Sequence, residues 1–235
     1  MKTILEICKE VADLAAVQRP DDLFSAENQN DQIWLSVAKS ELDSLMRYGN
    51  WQELTKEAIL LTNSSQTIYP LDMIAPDFYC LLQNTVYIKD QAERVIGAIT
   101  PEQWARDKCF KVNDDVSFII QNNRIKFLNN PSCWKILLMY RSSNIVWDFN
   151  TFEEKTVLEK NTDVPIFDEY LVKLGILWRW LKRSGLDYTE EYNEYQRELK
   201  KRFGVGLATK DIALGSEVFA DMGDIANVIV SKTSE

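Results

Sequence analysis

The chain has 235 residues, of which 46% are hydrophobic and 27% are charged, and its net charge is −9. This balance suits one large domain, or a domain with a sizeable insertion, that can fill a hydrophobic core. Histidine is absent, which removes the commonest general base and the commonest zinc ligand. The acidic charge argues against broad binding of duplex nucleic acid, because neutralising phosphates requires clustered lysine and arginine.

Cysteine usage and hydropathy also restrict the class of protein. The four cysteines are scattered without a CxxC pair: Cys8, Cys80, Cys109 and Cys133. We therefore expect reduced thiols in a protein synthesised in the cytoplasm. The apolar runs are too short for a transmembrane helix, and acids interrupt the apolar N-terminal stretch, which does not resemble a signal peptide. We expect no membrane partner.

The N-terminal part of the chain shows helical periodicity. Apolar residues at helical spacing predict one amphipathic helix over residues 3–18 and a second that begins near Asn30 or Asp31. Gly49 is expected to end the second helix in the left-handed conformation. Residues 1–57 are therefore predicted to supply the N-terminal helices of a bundle.

The middle of the chain has the composition of strands. Short runs rich in β-branched and aromatic residues, separated by turn formers, predict a β-rich domain over residues 58–164. Thr100, followed by Pro101 and Gln103, is typical of a helix start. Asn122-Asn123 joins two strand-like runs and tolerates the positive φ of a tight antiparallel hairpin. The polar residues 149–164 predict a surface loop.

Helical periodicity returns after Pro165. A stripe of apolar residues predicts a first helix, and Gly185 is expected to end it: Leu171, Leu174, Trp178 and Leu181. A tyrosine stripe then predicts a second helix: Tyr188, Tyr192 and Tyr195. The predicted fold class is α+β, a helical bundle with an inserted small antiparallel β domain. Its C-terminal helical hairpin covers residues 165–204, and an extended C-terminal arm covers residues 205–235.

No stretch carries a recognisable catalytic pattern. Paired carboxylates occur in polar or helix-start contexts that favour solvated faces or caps: Asp21/Asp22, Asp114/Asp115, Glu153/Glu154 and Glu190/Glu191. The sequence lacks phosphate-loop, dinucleotide and nucleophile-elbow spacings, and it has no paired cysteines for a metal. We expect no catalytic residues, no cofactor and no metal, and therefore a protein that is not an enzyme. A carboxylate- or thiol-dependent enzyme remains an alternative.

The run "WRWLKR" has the basic and aromatic composition of a nucleic-acid surface. On a helix, consecutive residues point about 100° apart, so Trp178 and Trp180 cannot form one stacking platform. We expect Trp178 in the core and Trp180 against a neighbouring element or subunit. The candidate subunit contacts are Trp178, Trp180, Tyr188, Tyr192 and Tyr195.

This segment resembles the C-terminal helical hairpin of head-to-tail adaptor (connector) proteins of tailed bacteriophages, podophage type. In that family a Gly-x-x-Trp-Arg-Trp-Leu-Lys helix leads through Gly-Leu-Asp-Tyr into a second helix, and the match here spans residues 175–197. Four further segments earlier in the chain resemble family landmarks and occur in the family's order: "RYGNWQELTKEA", "YPLDMIAPDFYCLLQNTVY", "GAITPEQWARDK" and "FIIQNNRIKFL". The chain departs from the family at Asn122, where glycine is usual, and at Ile99, where a proline–leucine pair is common.

The resemblance implies a structural virion protein at the head–tail junction. It would form a homo-oligomeric ring of about twelve copies under the portal protein, extend the channel for DNA packaging and ejection, and attach a tail tube or nozzle protein. DNA would pass without specific recognition. A C-terminal arm commonly docks on the portal in such proteins, and the candidate residues here are Leu207, Ile212, Leu214, Val218 and Phe219.

A second function stays open from the residues. A DNA-binding packaging accessory protein would use the basic residues of the C-terminal hairpin: Arg179, Lys182, Arg183, Lys200, Lys201 and Arg202. Salt-dependent binding of duplex DNA by the purified chain would favour this alternative.

Overall fold

The computed structural model describes residues 1–25, 28–63, 65–89, 93–110, 116–129 and 133–213, and for residues 204–213 only the backbone. The helices are α1 (Ile4–Leu14), α2 (Gln29–Tyr48), α3 (Leu71–Ile74), α4 (Pro101–Phe110), α5 (Glu169–Arg183) and α6 (Thr189–Ala213). A 3-10 turn spans Gln52–Leu54. The fold is mixed α and β with small antiparallel sheets, as the composition pattern predicts.

Eleven short strands form three sheets among the described residues. They are β1 (Thr55–Leu61), β2 (Ile68–Pro70), β3 (Phe78–Leu81), β4 (Tyr87–Ile88), β5 (Glu93–Arg94), β6 (Ser117–Gln121), β7 (Arg124–Leu128), β8 (Lys135–Ser142), β9 (Val146–Asp148), β10 (Glu154–Lys155) and β11 (Asp163–Pro165). In the largest sheet, the order is β1-β8-β4-β5 and β3 also pairs with β8. The other two sheets have the orders β2-β7-β6 and β10-β9-β11.

The buried apolar side chains form two clusters. The first contains the inner faces of α1, α2, α5 and α6, together with Trp51, Leu54, Ile145, Val146 and Leu158. The second lies among the strands, with Phe118, Ile125, Ile136 and Leu138 at its centre. Residues from both ends of the chain thus share the first cluster, while the middle of the chain builds the second.

Local signals in the sequence place several element ends correctly. Thr100 and Gln103 form a reciprocal capping box at the start of α4, with bonds of 3.0 and 3.2 Å. Asn122 and Asn123 have φ values of 53° and 55° in the β6–β7 hairpin. Gly185 follows α5 with a φ of 72°. These three predictions are confirmed.

Two local predictions are wrong. Gly49 ends α2 with a φ of −173°, which is extended and not left-handed. Its small size matters instead, because a Cβ there would lie 2.6 Å from the Phe203 ring. Residues 149–164 are more than a surface loop, since they contain β10, β11 and the buried Leu158. Charges that pair in the interior hold this segment in place.

Candidate functional site

A buried carboxylate joins the C-terminal helical hairpin to α2. Glu41 of α2 is 0% exposed, and its carboxylate accepts a hydrogen bond of 2.8 Å from the Tyr195 hydroxyl of α6. Glu41 Oε2 also lies 3.0 Å from Arg179 Nη1 of α5, as an ion pair without hydrogen-bond alignment. Gly175 of α5 provides the space, because a Cβ at this position would overlap the Glu41 carboxyl. These four residues are the Glu41 cluster, which contacts three helices.

The protonation of Glu41 is set mainly by its burial. Loss of water raises the pKa of Glu41 to about 7, although Arg179 and the Tyr195 hydroxyl act in the opposite direction. Burial, together with the Glu41 charge, also raises the pKa of Tyr195 above its usual range. The cluster therefore keeps Tyr195 as a hydrogen-bond donor, and Glu41 carries a proton more readily than an exposed glutamate.

Aromatic rings make further contacts between the helices that carry the Glu41 cluster. Trp180 stacks on Trp34 of α2, with ring centres 5.4 Å apart and an interplanar angle of 11°. Trp178 contacts the tyrosines of α6, at 5.1 Å from Tyr192 and 6.0 Å from Tyr195 between ring centres. The Arg179 guanidinium lies 4.3 Å from the centre of the Trp178 ring. The aromatic residues of the hairpin therefore pack helix against helix.

The structure brings together four of the five residues predicted as subunit contacts, since Trp178 contacts Tyr188, Tyr192 and Tyr195, whereas Trp180 stacks on Trp34. Trp180 and Tyr195 are buried within the chain, so in this conformation they pack internally. Trp178 and Tyr188 are half-buried, and Tyr192 is 38% exposed. Trp178 is half-buried and packs against the helical core, so the prediction that it lies in the core is met only in part. Trp180 packs on Trp34 of the neighbouring α2, as expected. Contact with another subunit stays a prediction for the three accessible rings.

Most basic residues of the hairpin already have partners. Arg179 pairs with Glu41, Arg202 pairs with Glu53, and Lys201 lies 2.5 Å from Glu198. Arg183 donates a hydrogen bond of 3.3 Å to the Ser36 hydroxyl, and Lys182 lies over the Trp178 ring. A pairing of this kind reduces the positive charge available to phosphates.

The residues predicted to dock on the portal lie at or beyond the C-terminal end of the described residues. Helix α6 runs to Ala213, past residue 205, where we predict the arm to begin. Leu207 and Ile212 are in this helix, but their side chains lie outside the described part. Leu214, Val218 and Phe219 are also outside the described residues.

A second polar network, which no pattern in the sequence indicated, lies where the largest sheet meets β10. Asp77 accepts hydrogen bonds from Lys56 and Ser142 at 2.6 Å and from Tyr140 at 2.7 Å. Lys56 also pairs with Glu154 of β10. Partial burial alone would raise the pKa of Asp77, but the hydrogen bonds from Lys56, Ser142 and Tyr140 lower it to about 2. The ionised carboxylate thus ties the two regions together.

A third network fixes the β10-β9-β11 sheet. Asp148 and Asp163 are buried, and Lys155 Nζ lies 3.0 Å from Asp148 and 3.1 Å from Asp163. Lys160 approaches Asp148 at 2.7 Å. Hydrogen bonds from Lys160, from the Asn150 backbone and from Lys155 hold the pKa of Asp148 well below its usual range. Spacing in the sequence could not reveal these pairs, because chain reversal brings them together.

The candidate metal ligands and most of the predicted carboxylate pairs can be located among the described residues. The described residues contain no group of three or more cysteine, aspartate or glutamate side chains that could hold a metal. Asp21, Asp22 and Glu153 are exposed, which fits solvated carboxylates, whereas the exposed Glu154 pairs with Lys56. Burial raises the pKa of the Cys8 thiol to about 12. Asp114 and Asp115 lie outside the described residues.

The chain was compared with models of protein families and with curated proteins. No model of a protein family matches it, and no curated protein matches it either. Within the described part, no helix is long and apolar enough to cross a membrane.

Proposed function

We propose that this chain is a structural head-to-tail adaptor of a tailed bacteriophage. It forms a ring under the portal protein, extends the DNA channel and attaches a tail tube or nozzle protein. One observation carries the proposal. The residues that resemble the adaptor family make contacts that join three helices: Gly175, Arg179, Trp180 and Tyr195. Residues used in this way favour a rigid structural subunit.

The proposed subunit has four parts. A helical bundle is built from the helices of residues 1–57 and the hairpin 165–204. The β-rich domain 58–164 is inserted between them, and its first strand, β1, begins slightly earlier, at Thr55. The two buried clusters support this division, although Ile145, Val146 and Leu158 pack with the helices. Residues 205–235 form the arm that docks on the portal, and α6 covers the beginning of this arm as far as Ala213. About twelve copies match the portal ring, and heterologous contacts close it.

The electrostatics of the chain support a passive channel. With a net charge of −9, the ring repels the phosphates of the genome and does not grip them. The pairing of Arg179, Lys201 and Arg202 with acids weighs against a DNA-binding packaging accessory protein. Such a protein would need these cations free to replace counterions around DNA.

The decisive experiment removes the protein from the phage that encodes it. We expect an amber codon in the gene to yield DNA-containing heads without tails in a non-suppressing host, and suppression to restore joined virions. Electron microscopy of purified protein mixed with its portal should show a ring added below the portal. Virions with normal head–tail joining in the absence of the protein would refute the proposal.

A further inference from the structure

An exposed aromatic turn projects from the β10-β9-β11 sheet. The Trp147 ring stacks with Phe152, at a distance of 5.5 Å between ring centres and an angle of 13°, and with Phe149, at 6.4 Å and 26°. Phe152 is 74% exposed and Phe149 is 49% exposed. Stacked aromatic rings in water are a costly surface for a single chain, and such rings are enriched where proteins associate. We call Trp147, Phe149 and Phe152 the aromatic turn.

The aromatic turn is held in one conformation. Phe152 has a φ of 57°, a left-handed backbone that bulky residues rarely adopt. Its N–H donates to the Asp148 carbonyl at 2.9 Å, and the Asp148 N–H donates to the Glu153 carbonyl at 2.9 Å. The buried Asp148 side chain is fixed by Lys155 and Lys160. A phenylalanine kept in a disfavoured conformation and exposed to water suggests a role in binding.

A groove that could receive an aromatic ring lies on the β2-β7-β6 sheet beside α4. Two adjoining depressions share Ile68 and Lys126, and the larger has a volume of about 370 Å³. This is within the range of roughly 300–1,000 Å³ found for small-molecule pockets, so it has room for a phenyl ring. The residues that define the basic groove are Ile68, Trp104, Lys108, Arg124, Lys126 and Leu128.

The charges of the two surfaces are complementary. Glu153 follows Phe152 and is exposed, whereas the described lining of the basic groove contains three cations and no carboxylate. Within the described part of the chain, neither Glu153 nor Arg124 forms an ion pair. The aromatic turn therefore offers exposed rings and an unpaired acid, and the basic groove offers a cavity and three cations.

We propose that the aromatic turn of one copy docks into the basic groove of a second copy. The inference deepens the proposed adaptor function, since it names the contact between neighbouring subunits of the ring. Because the two surfaces are different patches, each copy uses both and the contact is heterologous. Repetition of such a contact closes a ring or extends a filament.

The first test measures self-association of the full chain by sedimentation velocity and mass photometry over rising concentrations. Phe152→Asn removes the ring but keeps a residue that tolerates the left-handed backbone. We expect it to fold as well as the wild-type chain and to associate about 30-fold more weakly, the effect of a typical hot-spot residue. Met73→Asn is the matched control, because Met73 is 82% exposed and belongs to neither surface.

The second test exchanges the charges. Glu153→Lys places a cation on the aromatic turn, and Lys108→Glu with Arg124→Glu places acids in the basic groove. Each variant alone should stay monomeric, because like charges face each other at every contact. A one-to-one mixture should associate. The basic turn of Glu153→Lys then meets the acidic groove of the double variant, and the acidic turn of the double variant meets the basic groove of Glu153→Lys. Rescue by mixing cannot arise from two misfolded proteins.

Three results would overturn the inference: a wild-type chain that stays monomeric up to about 1 mM, variants that associate normally, or a mixture that fails to associate. Salt-dependent binding of duplex DNA that is lost in Lys108→Glu/Arg124→Glu and kept in Phe152→Asn would also overturn it in favour of a nucleic-acid groove.

The amber-mutant experiment separates the two proposals. Loss of head–tail joining together with monomeric wild-type protein would refute the contact alone, and normal joining together with charge-exchange rescue would refute the adaptor alone.

Discussion

Replacement of Glu41 by glutamine tests how the buried charge contributes to stability. Glutamine has the size of glutamate and can still accept the hydrogen bond from the Tyr195 hydroxyl. It cannot titrate. Arg179 keeps a 14% exposed side chain, so its charge retains some contact with water when the carboxylate is removed. The substitution therefore removes the titration of Glu41 with little change in packing.

The sign of the pH dependence follows from the direction of the pKa change. Burial raises the pKa of Glu41 from 4.5 to about 7, so the folded chain binds this proton more tightly than the unfolded chain. The resulting stability is fully present below pH 4.5 and is lost as the pH rises through 7. Because one pKa unit corresponds to about 1.4 kcal/mol, the loss is on the order of 3 kcal/mol.

Urea unfolding of the wild-type and Glu41→Gln chains between about pH 5 and pH 8 measures this loss. The sequence has no histidine, which removes the side chain that usually titrates in this window. We expect the free energy of unfolding of the wild-type chain to fall across the window and that of Glu41→Gln to stay nearly flat. Glu190→Gln, at an exposed position on the same hairpin, should follow the wild-type curve. Parallel curves for wild type and Glu41→Gln would refute the reasoning.

Three further substitutions probe the packing, with the free energy of unfolding measured in urea. Trp180→Ala removes the ring stacked on Trp34 and should cost about 3–5 kcal/mol, whereas Leu186→Ala at an exposed position should cost little. Gly175→Ala drives a methyl group into the Glu41 carboxyl and should cost about 3 kcal/mol or more, whereas Gly185→Ala meets open space and should cost only about 1–2 kcal/mol through its left-handed backbone. Asp77→Ala leaves Lys56, Tyr140 and Ser142 without their acceptor and should cost about 2–3 kcal/mol, and the exposed Asp72→Ala is its control. A control that costs as much as its partner would contradict the corresponding assignment.

The Glu41 cluster could have been found in the sequence, but only in part. Glu41 falls on the same helical stripe as Trp34, Ala38 and Leu45, all of which are buried. An acid within an apolar stripe indicates a buried charge that needs a partner. The identity of that partner was beyond reach, because Arg179 and Tyr195 lie more than a hundred residues along the chain.

The sequence by itself determined the local elements, because their causes lie within a few residues. Helical spacing, the capping box at Thr100 and the asparagines of the β6–β7 hairpin act through neighbouring backbone groups. The mixed α and β character of the fold followed from these signals.

Only the tertiary structure decided which side chains meet. It buried Trp180 more deeply than Trp178, and it paired Glu41 with Arg179 across two helices. It also gathered Asp148, Lys155 and Asp163 into one buried network. Burial and charge pairing depend on contacts between distant segments, and no local pattern specifies such contacts.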